Sequence, residues 1–299
     1  MPYNKPLLKK DNMIRGIAIV LILACYASSY LYGQDFVGPD TVSVQSGELR
    51  LTGLLWRPAG FGPFATLIFS HGNYASRSQV GTIDSLLGPI TATSLLGRVF
   101  AENGYMFFGL FRAGVGLSRE QGGASTDLLD RALKEKSLDE RNSLQVHLLE
   151  TDQLEEMKAG LKSLRSRRDV DTNRLAVIGH SFGGSLALLL AEDDPGLKAV
   201  VDFGGGAASW DRSPQLRARL TTAVTHIAVP VLFIHARNDY STGPGDSLGA
   251  VMERLRKPHS VRIYPPFGNN TDVGHNFIFL GIVLWETDVL RFLHETLRP

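Results

Sequence analysis

The sequence predicts an α/β fold with a mostly parallel, doubly wound sheet, an N-terminal antiparallel hairpin and small lid insertions. Three observations predict it. Short runs that are apolar on both faces alternate with segments of helical spacing from residue 65 onward, as buried parallel strands with crossover helices require. An alternating pattern typical of a hairpin precedes them at 41–56. A glycine-flanked serine lies at a strand-to-helix turn, at 179–184.

The strands and helices follow in a regular order. The hairpin has strands at 41–44 and 49–56 around the turn Ser46-Gly47-Glu48. Five buried-type strands and one weaker last strand are predicted at 65–69, 105–110, 175–178, 199–203, 231–234 and 260–264. Helical spacing is found at 95–103, 143–168, 185–192, 246–256 and 277–297. Right-handed crossovers then place these strands in one sheet.

Two segments exceed this simple alternation, and both follow strand ends. They are 118–142, which is polar with helical spacing, and 204–226. Because ligands of open α/β sheets bind among the loops at the strand carboxyl ends, both are candidate lids or pocket walls. The alternative is that each is a solvated surface excursion.

Composition indicates one globular domain and gives no indication of a nucleic-acid or strongly charged polymeric partner. The chain has 299 residues, of which 43% are hydrophobic, and its 31 Lys and Arg nearly balance its 30 Asp and Glu. This size and composition suit a single large α/β domain. The near-neutral charge gives no basic surface for nucleic acid, so we expect no nucleic-acid partner. The sequence does not determine the oligomeric state.

The N-terminal residues predict export. A basic head containing Arg15 precedes an apolar run at 16–24, and small residues follow at 27–29, the order found in signal segments. Cys25 follows Ile22-Leu23-Ala24, which resembles a lipobox. A cleaved signal, a lipidated Cys25 and an uncleaved membrane anchor are the leading alternatives, ahead of a buried first helix. We expect 1–33 to be this segment, 40–299 to be the domain, and the domain to lie outside the cytoplasm.

Ser181 is the candidate nucleophile. It is the central residue of Gly179-His180-Ser181-Phe182-Gly183, between an apolar strand and a helical run. The glycines allow a sharp turn that presents the serine above the sheet. Since a serine hydroxyl is a weak nucleophile at neutral pH, the motif predicts a histidine base and a carboxylate that orients it.

His275 is the candidate base and Asp239 the candidate carboxylate. His275 follows the last strand, and Asp239 follows the preceding strand, so both belong to the edge that carries Ser181. The other histidines lie in strands, helices or loops that offer packing explanations; His235, for example, continues a buried strand. Asp202, at the end of the strand before, is the rival carboxylate, and Asp246 and Asp272 are weaker ones.

Acyl transfer also requires donors for the developing oxyanion. The backbone N–H of Phe182, at the start of a helix, is one candidate. The turn Ser70-His71-Gly72-Asn73-Tyr74 is expected to supply the second, from Asn73 first or Tyr74 second. Arg112 follows another strand and is expected either to bind a substrate carboxylate or, preferably, to hold its loop in position.

These residues together resemble the α/β-hydrolase superfamily, in its dienelactone hydrolase and acylaminoacyl-peptidase-like branch. The resemblance covers nearly the whole domain and includes the order Ser181, Asp239, His275. It implies an α/β-hydrolase fold and hydrolysis of a small-molecule carboxylic ester through an acyl-enzyme, with no metal or organic cofactor. Dienelactone hydrolases proper use a cysteine nucleophile, whereas this chain has Ser181.

Three functions stay open at this point. A serine esterase is the leading expectation. A peptidase or acyltransferase on the same three residues is the second, and a non-catalytic cell-envelope module is the third. The segment 1–33 or a lipidated Cys25 would supply any membrane attachment.

Overall fold

The computed structural model describes residues 36–74 and 83–298. The predicted export segment 1–33, including Cys25, lies outside them. Within the described residues eight strands form one sheet in the order β1-β2-β4-β3-β5-β6-β7-β8. The β1–β2 and β2–β4 pairs are antiparallel, and all other pairs are parallel. The predicted hairpin and the parallel sheet are therefore both confirmed.

The strands lie where the apolar runs predict them, with longer ends. Their bounds are β1 Phe36–Ser46, β2 Leu49–Pro58, β3 Phe64–Ser70, β4 Met106–Phe111, β5 Val170–His180, β6 Ala199–Phe203, β7 Val231–Ala236 and β8 His259–Tyr264. Strands β4, β6 and β7 are buried along their whole length, which explains why they are apolar on both faces. The edge strand β8 alternates between half-buried and exposed residues.

The helices divide between the two faces of the sheet. Their bounds are α1 Ile83–Glu102, α2 Ser125–Glu135, α3 Leu138–Glu150, α4 Asp152–Arg165, α5 Phe182–Asp193, α6 Pro214–His226, α7 Gly243–Arg254, α8 Thr271–His275, α9 Phe277–Leu280 and α10 Ile282–Thr296. Helices α1, α9 and α10 contribute to one apolar core. Helices α2 to α7 contribute to the other. This is a three-layer α/β arrangement.

Two predicted helices are each interrupted by one residue. The segment 143–168 contains parts of α3 and α4, which are separated by Thr151 with non-helical angles (φ −122°, ψ −107°). The segment 277–297 divides into α9 and α10 at Gly281. Among the described helices, none has both the length and the apolar character that crossing a membrane requires.

The parallel strands end at one edge of the sheet, and the candidate residues follow these ends. Ser181 comes directly after β5, Asp239 lies three residues after β7, and His275 ends the short helix α8 beyond β8. The loops that follow β3 and β4 lie at the same edge and carry Asn73 and Arg112. The topology therefore assembles, at this edge, loops that are far apart in sequence.

Candidate active site

Ser181 occupies a sharp turn between β5 and α5. Its backbone angles are φ 56° and ψ −119°, a left-handed φ that L-residues rarely adopt. Gly183 allows the turn to pack closely on the end of β3, because a Cβ atom there would lie 2.0 Å from the carbonyl oxygen of Ser70. The serine is thus held above the strand ends, as the motif predicts.

His275 lies next to this serine. Its Nε2 atom is 2.8 Å from Ser181 Oγ, within the range of a good hydrogen bond. The imidazole is 8% exposed and contacts two other rings, those of His180 and Tyr240, whose centroids are 5.0 and 4.9 Å from its own. The neighbouring His180 Nε2–H donates to the carbonyl oxygen of His275 at 3.0 Å. These contacts restrict the orientation of the ring.

Asp239 completes the arrangement. Its Oδ1 atom is 2.6 Å from His275 Nδ1, and its side chain is 2% exposed. Burial alone would raise the pKa of Asp239, but the neighbouring imidazoles of His275 and His235 outweigh it and hold that pKa well below its ordinary value. The carboxylate is therefore ionised and can only accept hydrogen bonds.

The direction of both hydrogen bonds follows from this charge. Since Asp239 only accepts, Nδ1 of His275 carries the hydrogen and donates it. In the neutral imidazole Nε2 is then unprotonated and accepts the hydroxyl hydrogen of Ser181. This geometry can remove a proton from the serine as it attacks an electrophile.

The rival carboxylates are engaged elsewhere. Asp202 Oδ1 accepts the backbone N–H of Gly205 at 2.8 Å, and Asp246 Oδ2 accepts from the Thr242 hydroxyl at 3.2 Å. Asp272 is bonded by the Asn276 side chain. Complete burial raises the pKa of Asp202 to about 6, although the nearby His235 lowers it in part.

The candidate oxyanion donors lie on the two segments that meet at Ser181. Phe182 is the first residue of α5, where helix geometry leaves the N–H without an intrahelical acceptor. On the other segment a Cβ atom at Gly72 would lie 3.2 Å from the Cβ of Ser181, so Asn73 is adjacent to the site. The Asn73 Oδ1 atom accepts from the Ser125 hydroxyl at 2.8 Å. Tyr74 is buried, with its ring 5.8 Å from that of His71.

Arg112 forms hydrogen bonds with the turn that leads to Asn73. Its guanidinium is 1% exposed, and it donates to the carbonyl oxygens of His71 at 2.8 Å and Gly72 at 3.2 Å. It also lies 5.2 Å from the centre of the Phe182 ring. Burial lowers the pKa of Arg112 to about 10, so it remains a cation at neutral pH. These contacts favour loop positioning over binding of a substrate carboxylate.

Two hydrogen bonds fix the tautomer of His71, which lies beside Arg112. The backbone N–H of Arg112 donates to His71 Nε2 at 3.1 Å, so Nδ1 carries the hydrogen and donates to the Gly72 carbonyl at 2.6 Å. Burial and the adjacent Arg112 cation hold the pKa of His71 well below its ordinary value. His71 therefore shapes the turn as a neutral donor and acceptor.

Two residues near the site are not singled out by the sequence pattern. His235 contacts Asp239 Oδ2 through Nδ1 at 3.0 Å. Asn238 donates to the carbonyl oxygens of Phe267 and Asn270 at 2.9 Å each, and so holds the loop that leads to His275. The signal that could have found them is their position: His235 lies near the end of β7, and Asn238 directly precedes Asp239 in the loop that follows this strand.

The two candidate lid segments flank the site and contact each other. Ser125, at the start of α2, bonds Asn73 as described. In the other segment a Cβ atom at Gly204 would lie 2.9 Å from Asp239 Oδ2. The Asn142 side chain donates to the Arg212 carbonyl at 2.7 Å and joins the two segments. A separate open groove of about 610 Å³ is lined in part by Asp194, which follows the C-terminal end of α5. Ser181, Asp239 and His275 do not line this groove.

Several solved structures share this fold. A dienelactone hydrolase from Anabaena variabilis has a TM-score of 0.57 and 19% identity, with 87% of this chain and 98% of that chain covered. An acylaminoacyl peptidase from Pyrococcus horikoshii has a TM-score of 0.61 and 15% identity, covering 91% and 43%. An esterase from Pyrococcus furiosus has a TM-score of 0.58 and 15% identity, covering 86% and 90%.

Sequence comparison gives the family. A "Putative carboxymethylenebutenolidase" of Escherichia coli strain K12 is 29% identical over 118 residues, which are 38% of this chain. The matched part spans 41% of the length of that curated relative. The model of the dienelactone hydrolase family matches residues 90–278, well over half of the chain. With its sheet topology and similar structures, this match establishes that the chain belongs to the dienelactone hydrolase family, within the α/β-hydrolase fold.

Proposed function

We propose that this protein hydrolyses carboxylic esters, with Ser181 as nucleophile, His275 as general base and acid, and Asp239 as the group that orients His275. The observation that carries the proposal is the continuous pair of hydrogen bonds through one imidazole, 2.8 Å to the serine hydroxyl and 2.6 Å to the carboxylate. Both distances suit proton transfer and ring orientation without rearrangement of the residues.

The first half-reaction forms an acyl-enzyme. Ser181 Oγ attacks the ester carbonyl carbon while its proton passes to His275 Nε2. The imidazolium formed is stabilised by the ionised Asp239. His275 then gives this proton to the departing alkoxide, which leaves as the alcohol, and the acyl group remains bonded to Ser181.

The second half-reaction restores the enzyme. Water enters the position that the alcohol leaves, and His275 Nε2 removes one of its protons as its oxygen attacks the acyl carbon. The bond between the acyl carbon and Ser181 Oγ then breaks, and Ser181 takes back the proton from the imidazolium. The products are one carboxylic acid and one alcohol per water consumed.

The backbone N–H groups of Phe182 and Asn73 are the proposed donors to the oxyanion in both steps. One such donor contributes about 3–4 kcal/mol to transition-state stabilisation. Support comes from the contact of Gly72 with Ser181 and from the carbonyls of His71 and Gly72, which Arg112 fixes. With both carbonyls directed at Arg112, the turn can present the following amide to the opposite side.

An ester is favoured over a peptide by the names of two similar proteins. The Escherichia coli relative is named for a butenolide substrate, and one structure that shares the fold is called an esterase. The acylaminoacyl peptidase shares the fold at 15% identity. Cleavage of an amide and transfer of the acyl group to an alcohol are therefore treated as alternative outcomes of the test.

The test compares the purified protein with Ser181→Ala on p-nitrophenyl acetate and butyrate. We expect wild-type turnover and a loss of at least about 10³-fold in the variant, since the nucleophile is absent. A fluorophosphonate should label the wild type and leave the variant unlabelled. Equal activity of the two proteins contradicts the proposal, and absence of labelling supports a non-catalytic module. Faster cleavage of an aminoacyl anilide, or preferred transfer to an added alcohol, points to the alternatives.

Export is a separate part of the proposal. It rests on the basic, apolar and small-residue order of 1–33. Fractionation of cells that express the full chain, followed by mass spectrometry of its N-terminus, distinguishes a cleaved signal, a lipidated Cys25 and a retained anchor. Recovery of the intact chain in the cytoplasmic fraction contradicts export.

A further inference from the structure

His235 contacts the carboxylate of the proposed triad from the side opposite His275. Its Nδ1 atom lies 3.0 Å from Asp239 Oδ2, and the two side chains are 0% and 2% exposed. His275 bonds the other oxygen, Oδ1, at 2.6 Å. Asp239 therefore lies between two imidazoles, one on each carboxylate oxygen.

The carboxylate of Asp239 fixes the direction of its hydrogen bond with His235. Asp239 is ionised, because its neighbouring imidazoles outweigh the effect of burial and lower its pKa. A carboxylate only accepts, so His235 Nδ1 carries a hydrogen and donates it to Oδ2. Among residues 36–74 and 83–298, His235 is the one hydrogen-bond donor to this oxygen.

Oδ2 also has little access to solvent on its other side. A Cβ atom at Gly204 would lie 2.9 Å from it, so the turn after β6 covers this oxygen. The oxygen Oδ1, in contrast, accepts both from His275 and from the backbone N–H of Tyr240, at 2.6 Å each. Removal of the His235 donor would leave a buried carboxylate oxygen unsatisfied.

His235 itself is held by the sheet. It follows Phe233 by two positions on β7, and Asp202 follows Val200 by two on the neighbouring β6, so both polar side chains share the face of Val200 and Phe233. In the described part of the chain, His235 Nε2 and Asp202 Oδ2 are both buried without a hydrogen-bond partner. The imidazole thus directs its one bonded nitrogen at Asp239.

We propose that His235 is a positioning residue that acts on the reaction of Ser181 through Asp239, an inference that rests on the proposed function. A carboxylate turns easily about its terminal bond. A donor on Oδ2 fixes the plane of the group, so that Oδ1 stays directed at Nδ1 of His275. The His235 side chain is fully buried and its hydrogen-bond partner is Asp239, so its proposed effect is on the orientation of the base.

The test replaces His235 by Leu, Asn and Gln in the full-length protein. Leu removes the donor, Asn retains an amide nitrogen near the position of Nδ1, and Gln carries its amide nitrogen near the position of Nε2, which does not contact Asp239. We expect kcat for p-nitrophenyl butyrate to fall about 10- to 100-fold in H235L and H235Q, as for a buried charged group left unpaired. KM should change by less than about threefold, since no substrate contact is lost. H235N should recover kcat to within about fivefold of wild type.

A second readout separates this inference from the proposed function. The rate of fluorophosphonate labelling measures Ser181 reactivity without a chosen ester, with Ser181→Ala as the blank and His259→Leu, on the edge strand β8, as a matched histidine control. If wild type is unlabelled, both the proposed function and the inference fail. If wild type is labelled and H235L keeps its kcat and labelling rate, the inference alone is overturned.

Rescue distinguishes positioning from a structural role. If H235N is as slow as H235Q while both are folded by circular dichroism, the hydrogen bond does not carry the effect and the inference is wrong. If H235L does not fold, the comparison of H235Q with H235N still distinguishes a positioning role of His235 from a structural one.

Discussion

The Nε2 atom of His275 lies 2.8 Å from the Oγ atom of Ser181, across a sequence separation of 94 residues. The two side chains follow strands β8 and β5, which are separated in the sheet by β6 and β7. Their contact therefore depends on the strand order and on the segment 265–274, which connects β8 to His275.

Asp239→Asn should reduce kcat for p-nitrophenyl butyrate by about 10³- to 10⁴-fold. The amide nitrogen of Asn can donate toward Nδ1, which favours the tautomer that has its hydrogen on Nε2 and cannot accept from Ser181. Steady-state kinetics of the purified variant measures the loss. Asp246→Asn, on α7, is the matched control and should keep wild-type activity. A loss of less than tenfold in Asp239→Asn contradicts the assigned role.

Arg112→Lys should reduce both stability and kcat. Lys keeps the charge but not the forked donors that reach the His71 and Gly72 carbonyls together. We expect the free energy of unfolding in urea to fall by about 1–3 kcal/mol, and kcat to fall more than KM changes, as the turn of Asn73 loosens. Arg174→Lys, at the partly exposed Asp171 pair, should change stability by less than about 1 kcal/mol. If Arg112→Lys and Arg174→Lys reduce stability equally, the loop-positioning role of Arg112 is contradicted.

Gly183→Ala should prevent the turn of Ser181 from forming. The added Cβ would lie 2.0 Å from the Ser70 carbonyl oxygen and 2.3 Å from that of His71, and neither backbone can move without breaking the sheet edge. A loss above about 4 kcal/mol, or failure to fold, is expected. Gly123→Ala is the control, since a Cβ there has no atom within 4 Å. Urea unfolding of both variants checks the difference; a Gly183→Ala protein of wild-type stability contradicts it.

Asp202→Asn should change how stability depends on pH. Burial raises the pKa of Asp202 to about 6 from 3.8, so the folded protein holds this proton more tightly than the unfolded chain. The wild type therefore loses stability as pH rises through this window, up to about 3 kcal/mol. Because Asn cannot ionise, the free energy of unfolding of the variant should rise relative to that of the wild type between about pH 4 and about pH 6. Above about pH 6 the difference should stay constant.

Urea unfolding at pH 4.5 and pH 7.5 measures this change. The free energy of the variant relative to wild type should be higher at pH 7.5 than at pH 4.5. Glu48→Gln, an exposed residue in the β1–β2 turn, should show no such change. A difference between Asp202→Asn and wild type that is equal at both pH values would contradict the buried titration.

The sequence predicts the sheet well, because each parallel strand is buried on both faces and so is apolar along its length. It also predicts the contact of Ser181, Asp239 and His275, because each follows a strand end and parallel strands end at one edge. The helical pattern does not predict the breaks at Thr151 and Gly281. The spacing of the apolar residues continues across both positions, so the pattern alone predicts one helix in each segment.

The supporting contacts are harder to predict. His235 is interpreted from sequence as part of a buried strand, which is correct for its backbone but gives no information about the partner of its ring. The acceptors of Arg112 are backbone carbonyls of His71 and Gly72, and carbonyl groups have no sequence signature. Both contacts depend on strand register, which a single sequence does not determine.

The close approach of Gly183 to the end of β3 packs the serine turn directly against the turn that carries Asn73. A substitution that shifts the turn of Ser181 would therefore also shift the turn that carries the amide of Asn73. The segments 118–142 and 204–226 take no part in the contact of Gly183 with Ser70 and His71. Divergence in substrate range among descendants of such a chain would accumulate in these two segments, while the chemistry beneath them stays constant.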